Sequence, residues 1–188
     1  MPAARESVTV RRCDAKDLAK IVAEDPLGAA YADLAFAAQN EERADYLVAW
    51  IGGQPVGSGQ LEWTQPPELK SLHVEPEHRG AGIGTAIIRH AEQLSRGHGT
   101  LIVGVGQDNP DARRLYERLG YVATGRLETY TYSYVDTAGV SRDATETAEY
   151  LEKALRRVRG NDALAQTVSA SIGGKSATTS STCGASSR

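Results

Sequence analysis

Cysteine is almost missing from this 188-residue chain, with only Cys13 near one end and Cys183 near the other. Two thiols so placed make neither a disulfide framework nor a metal-ligand spacing. Neither is a credible nucleophile: Cys13 reads as a small strand residue, and Cys183 falls in a polar tail. Long apolar runs are missing too, which excludes a membrane-spanning helix of ordinary length. No charged-then-apolar leader opens the chain, so export is not expected and a cytoplasmic setting is the default. Positive charge is not in excess. The formal net charge is -3, which argues against a broad basic face for nucleic acid. No internal repeat is visible. What remains has room for one domain of ordinary size with a real hydrophobic core.

The most informative run covers residues 72–84, Leu-His-Val-Glu-Pro-Glu-His-Arg-Gly-Ala-Gly-Ile-Gly. It reads as a buried strand, a turn, a glycine loop and the start of a helix. Gly80, Gly82 and Gly84 leave backbone N–H groups uncovered, and a helix N-terminus behind them adds partial positive charge. Together these suit a phosphate or pyrophosphate. The spacing is not that of a P-loop, because Thr85 and Ala86 follow Gly84 where lysine and Ser/Thr are required. Nor is it the dinucleotide fingerprint: Thr85 stands where the third glycine belongs, and the preceding strand is not the first of the chain. It does fit Arg-x-x-Gly-x-Gly over Arg79, Gly80, Ala81, Gly82, Ile83 and Gly84. Alone, such a loop reads equally as a tight strand-to-helix turn.

A second motif lies downstream. Residues 100–105 read as a buried strand. Residues 109–121 read as a bounded helix: Asn109 is a good N-cap, Pro110 suits the first helical position and Asp111 meets the helix dipole. Ala112, Leu115, Tyr116 and Leu119 fall on one face, and Gly120 suits the left-handed position past the end. The remaining pattern predicts strands over 8–12, 46–51, 55–63, 69–74 and 145–153, and an interrupted strand over 122–135. It predicts helices over 14–23, 29–39 and 82–96, the last with Ile83, Ile87, Ile88, Ala91 and Leu94 inward. Gly52-Gly53 marks a hairpin. From residue 156 onward, Ser, Thr, Ala and Gly dominate, which is too little apolar surface to offset the entropy of ordering.

With both motifs in order on a strand–helix–strand–helix frame, the chain resembles the GCN5-related N-acetyltransferase (GNAT) superfamily over roughly residues 8–155. The resemblance implies an α/β fold, with a mixed, mostly antiparallel central sheet of six or seven strands flanked by about four helices. It implies acetyl-CoA as co-substrate and no metal. By the resemblance, Arg79, Gly80, Ala81, Gly82, Ile83, Gly84 and Thr85 hold the pyrophosphate. The fourth strand is splayed from the fifth in that family, so the backbone of Leu72, His73 and Val74 pairs with pantetheine and offers oxyanion donors. Asn109 and Ala112 belong to the second cofactor motif, and Tyr116 lies near the thioester sulfur.

Acetyl transfer to an amine needs a base for the ammonium, donors for the oxyanion and an acid for the thiolate. A phenol of pKa about 10 can protonate a thiolate whose thiol titrates near about 8.5, so Tyr116 is the expected acid; a plain core tyrosine is the alternative. Glu68, eleven residues before Arg79, matches the glutamate of the family's histone-acetylating branch and is the expected base. A solvated residue after Pro67 is the alternative, and Glu62, His73 or a water relay remain open. Lys70 is expected at solvent or a strand edge. Arg113 and Arg114 read as cofactor 3′-phosphate contacts or as the wet face of a helix. The family places its acceptor around residues 26–31, Glu62–Trp63 and 130–134, where Asp25, Asp33 and Glu62 would attract a cation and Tyr130, Tyr132 and Tyr134 share a strand face. The expected activity is acetyl transfer to the primary amine of a small molecule, with no nucleic-acid or membrane partner and a homodimer left open. Transfer to a protein lysine or N-terminus is the second reading, and a non-catalytic acyl-CoA-binding domain is the third.

Overall fold

The computed structural model describes residues 7–24, 29–135 and 139–156. Asp25, residues 26–28 of the expected acceptor stretch, Cys183 and residues 157–188 of the expected tail lie outside the described residues, as do the side chains of Tyr132 and Tyr134.

The elements run β1 (Thr9–Arg12), α1 (Ala15–Glu24), α2 (Ala29–Asn40), β2 (Ala44–Ile51), β3 (Gln54–Glu62), β4 (Glu68–Val74), α3 (Ile83–Leu94), β5 (Thr100–Gly106), α4 (Pro110–Arg118), β6 (Val122–Val135) and β7 (Ser141–Ala154). The seven strands form one sheet in the order β1-β2-β3-β4-β5-β7-β6. Only β4 and β5 pair in parallel; every other neighbouring pair is antiparallel. This is the mixed, mostly antiparallel α/β sheet with four helices that the resemblance implied.

Strand alternation decides which helices go where. Along β2, Leu47 and Ala49 join a core with Ile83, Ile87, Ile88 and Ala91 of α3 and Tyr116 of α4. The intervening Tyr46, Val48 and Trp50 join a second core with Ala32 and Ala35 of α2. Each of the sealed isoleucines contributes about 1.5–3 kcal/mol through burial. Leu94 does not complete the α3 stripe. It is 41% exposed, because the helix ends there and Ser95, at 0%, takes the covered place as the chain tightens into a 3-10 turn.

The local signals account for most boundaries. Asp14 Oδ1 accepts the N–H groups of Lys16 and Asp17, both at 2.8 Å, and so starts α1. Gly52 and Gly53 turn β2 into β3 with φ of 56° and 80°, the left-handed pair that a two-residue hairpin of type I′ demands. The interruption in β6 is a register shift between Ala123 and Leu127, with Gly125 at φ 79°. Residues 145–153, helical by composition, are strand because β7 is paired on both sides, with β5 and with β6.

Candidate functional site

β4 and β5 register as Glu68 with Ile102 and Leu69 with Val103, and no further. Both strands run on, to Val74 and Gly106, so beyond these pairs they part. Their facing backbone groups open into a cleft instead of a ladder. β4 also carries a bulge. The two-residue step from Ser58 to Gln60 on β3 faces the three-residue step from Lys70 to His73, and Ser71 takes φ 51°. The extra residue reverses the strand's alternation. Leu69 before it and Leu72 and Val74 after it all pack on the α3 core, while Ser71 and His73 are exposed. Gly57 of β3 makes the close approach possible, since a Cβ there would sit 2.7 Å from His73 O.

At the end of β4 the chain makes the glycine loop. Gly80 and Gly82 have φ of 76° and 85°. Gly82 is the N-cap of α3, no side chain caps that end, and the first intrahelical bond runs from Ala86 N–H to Gly82 O at 3.0 Å. The N–H groups of Gly82, Ile83, Gly84 and Thr85 therefore lie at a bare helix start, where the dipole favours an anion. A Cβ on Gly84 would lie 3.4 Å from Leu115 Cδ2, in ordinary contact with α4. Arg79 Nε donates to Val74 O at 3.1 Å, tying the loop to the end of β4.

On α4, Asn109 Oδ1 accepts Ala112 N–H at 3.1 Å, so the asparagine is a cap in fact. Tyr116 is 4% exposed, and its ring meets Tyr121 edge-on at 5.6 Å. Burial pushes its phenol up to about 12. Arg113 pairs with Glu117 and Glu149, and Arg114 with Asp111. Both arginines are thus engaged by carboxylates, as on an ordinary wet helix face.

Lys70 keeps 40% of its side chain exposed, as expected, but its ammonium is engaged. Cross-strand register brings Glu62 opposite Glu68, and Lys70 Nζ reaches both, at 2.9 Å from Glu62 Oε2 and 3.7 Å from Glu68 Oε2. Glu68 is not solvated after Pro67; it is 7% exposed. Burial pushes its carboxyl up, Lys70 pulls it down, and Glu62 adds to the rise. Arg126, Glu128 and Tyr150 complete this surface: Tyr150 Oη donates to Glu128 Oε2 at 3.0 Å, and the Arg126 guanidinium stands 4.1 Å over the Tyr150 ring. Sequence reasoning missed these three, because a β6–β7 partnership with β4 is set by sheet order and leaves no local signal.

A cavity of about 1110 Å³ lies on the α1–α2 side of the sheet. Ile21, Tyr31, Val48, Ser71, Leu72 and His73 line it, together with the carboxylates of Glu24, Glu75 and Glu146. The Tyr31 hydroxyl is shut from water and has no hydrogen-bond partner of good geometry among the described residues. Burial pushes this phenol up, and the nearby Ser71 hydroxyl works the other way. Of the residues singled out in sequence, Tyr31 of the expected acceptor stretch, Leu72 and His73 reach this wall; Glu68, Val74, the glycine loop and Tyr116 stand outside it. Asp33 is exposed, Trp63 stacks on His98 at 5.5 Å, and Tyr130 is 45% exposed. Among the described residues, no group of three His, Cys, Asp or Glu is arranged to hold a metal ion, and no helix is long and apolar enough to cross a membrane.

Residues 15–121 match the acetyltransferase (GNAT) family. The chain is similar to the N-alpha-acetyltransferase RimI of Mycobacterium tuberculosis, 30% identical over 158 residues, which cover 77% of this chain and 98% of that protein. It is also similar to streptothricin acetyltransferase of Streptomyces lavendulae, 37% identical over 79 residues, covering 41% of each chain; the match thus spans about two fifths of that relative. A solved phosphinothricin acetyltransferase from Sinorhizobium meliloti, in complex with AcCoA, shares the fold with a TM-score of 0.59 and 21% identity, over 79% of this chain and 89% of that one. The chain belongs to the acetyltransferase (GNAT) family.

Proposed function

We propose that the protein is an acetyl-CoA-dependent N-acetyltransferase acting on the primary amine of a small molecule, by direct attack on the thioester. The observation that carries this reading is the parting of β4 from β5 after two registered pairs, with the bare N-terminus of α3 at the end of β4. An extended pantetheine arm suits the first and a diphosphate the second. In this reading residues 79–85 bind the diphosphate, and Asn109 and Ala112 border the arm.

Glu68 takes the proton of the acceptor ammonium, directly or through a water. The backbone N–H groups of residues 72–74 hold the oxyanion formed as the nitrogen bonds to the carbonyl carbon. Tyr116 gives its proton to the sulfur as the C–S bond breaks. A phenol pushed up to about 12 stays protonated at neutral pH, which suits an acid, and a carboxylate raised by burial is a stronger base once ionised. A cavity of about 1110 Å³ beside the bulge supports a small acceptor. The likeness to RimI along nearly all of that protein supports a second reading, transfer to a protein N-terminus. We take residues 1–155 as the acetyltransferase domain and residues 156–188 as an appendage to it.

Calorimetry with coenzyme A and acetyl-CoA tests the reading, followed by a thiol-release screen over amines, amino acids, aminoglycosides and peptides. Binding of acetyl-CoA and release with a small amine are expected. Absence of any association with coenzyme A or its acetyl form overturns it; release with peptides alone selects the second reading.

A further inference from the structure

We propose that the edge of β6 pairs with the β6 edge of a second copy of this chain, antiparallel about a two-fold axis at Thr131, so that two sheets become one. The proposal goes beyond the transferase reading and does not depend on it.

The two edges of the sheet are built differently. β1 is four residues long and carries Arg11 and Arg12; shortness and charge keep other strands off an edge. β6, at the opposite end of the order, pairs with β7 alone among the described residues. From Leu127 to Val135 it faces Glu149 to Ser141 with no break in register, because the bulge of β6 ends before this run. Residues 127–135 hold no lysine, arginine, proline or glycine, and Glu128 is their only charge. That charge is taken up inside the chain, by Arg126 and by the Tyr150 hydroxyl. Leu127 is 55% exposed, and Thr129 and Thr131 are exposed as well. A long, flat edge of strand-forming residues without such guards is a template for another strand.

Which backbone groups face outward follows from β7. Gln107 N–H donates to Thr147 O at 3.0 Å, so Thr147 turns its backbone groups toward β5 and away from β6. Thr124 Oγ1 donates to Tyr150 O at 2.8 Å from the β6 side, which fits the same alternation. Thr129, opposite Thr147, is therefore in a non-hydrogen-bonded pair. Its N–H and C=O point out from the edge, as do those of Leu127, Thr131, Ser133 and Val135. The nearby hydroxyls are matched across the hairpin, Thr129 with Thr147 at 2.8 Å and Thr131 with Thr145 at 3.0 Å. What the edge offers a partner is thus main chain.

A second copy fits because the run reads alike in both directions. With Thr131 opposite its own counterpart, Thr129 falls opposite Ser133 and Leu127 opposite Val135. Hydroxyl residues meet hydroxyl residues and apolar residues meet apolar ones. Glu128 falls opposite Tyr134, so no like charges are opposed. The outward groups of residues 127, 129, 131, 133 and 135 then join in a single ladder.

The test measures the mass of the full chain by sedimentation. Wild type is expected at twice the chain mass. Thr131→Pro removes an outward N–H that β7 does not use, at an edge that accepts proline, and is expected at one chain mass. Thr131→Lys sets two ammonium groups against each other; it is expected to do the same and decides the matter where the proline chain folds poorly. Thr131→Val loses the same hydroxyl but keeps the N–H, and is expected to stay dimeric. Amide exchange checks the register: the N–H groups of residues 129 and 133 should exchange roughly tenfold or more slowly in wild type than in Thr131→Lys. A wild type of one chain mass at every concentration overturns the proposal, and slow exchange at these amides in that monomer would show the edge covered within the chain. A Thr131→Lys dimer as tight as that of Thr131→Val overturns it too.

Discussion

Lys70 holds its ammonium 3.7 Å from the Glu68 carboxylate while bonding Glu62 at 2.9 Å. The lysine therefore restrains the rise that burial imposes on Glu68. As the proposed base, Glu68 would act only when ionised, so the acid limb of kcat/KM should fall above the usual carboxylate range. Removing the restraint in Lys70→Met should move that limb to higher pH. The measurement is a pH–rate profile of both proteins; superimposable limbs would separate Lys70 from the base. For stability, a raised native pKa means that the native state binds more protons than the unfolded one. The contribution of Glu68 is therefore greatest at acid pH and falls as pH rises through the unfolded and then the native value. Glu68→Gln should flatten that part of the stability–pH curve and lower turnover by about 10²–10⁴.

Tyr116→Phe keeps the ring that packs on Tyr121 and removes only the hydroxyl. Turnover should fall by about 10²–10⁴, with acetyl-CoA affinity changed by less than about threefold. Thiol release and calorimetry on the same preparation decide it, and unchanged turnover would strike Tyr116 from the mechanism.

Gly57→Ala and Gly80→Ala should fail for different reasons. The first drives a methyl to 2.7 Å from the backbone oxygen of His73, and backbone cannot swing aside, so a loss of about 1–3 kcal/mol is expected along with weaker cofactor binding. The second meets open space but strains a residue at φ 76°, costing about 1–2 kcal/mol. Melting curves with and without acetyl-CoA check the first: the ligand-induced shift should shrink in Gly57→Ala. A full shift in that variant would show that β4 tolerates the displacement.

Asn109→Ala deletes the cap on α4 and should cost about 1 kcal/mol, or roughly 2–4 °C in Tm for a chain of this size. Asn109→Asp keeps the accepting oxygen and should keep the Tm. If Asn109→Asp also retains full acetyl-CoA affinity, the side-chain amide serves the helix alone.

The glycine loop, the Asn109 cap, the Gly52-Gly53 turn and the Asp14 cap were legible because each depends on residues close together in the chain. The β4 bulge was not read from the sequence, which predicted an unbroken strand over 69–74, although its trace is there. Leu69 and Leu72 are three apart and Leu72 and Val74 two apart, a slip of phase that an unbroken strand does not show. Lys70 could not be placed, because its partners depend on how far the 63–67 turn carries β3 past β4. Glu146 was passed over for a similar reason. Alternation in β7 groups it with Ala148 and Tyr150, but only the pairing of Gly106 with Ala148 reveals which side of the sheet that group faces. Leu94 kept the helical period yet lost its cover, since periodicity carries no information about where the sheet beneath it stops.

With β4 and β5 joined at only two residue pairs, the sheet is a book held by a short binding near Leu69 and Val103. Any molecule lodged farther along the opening touches both leaves together. Its presence should then register as heat resistance of the whole protein, growing with the logarithm of its concentration. An unknown acceptor can be hunted through melting curves, before anyone has an assay for what is made from it.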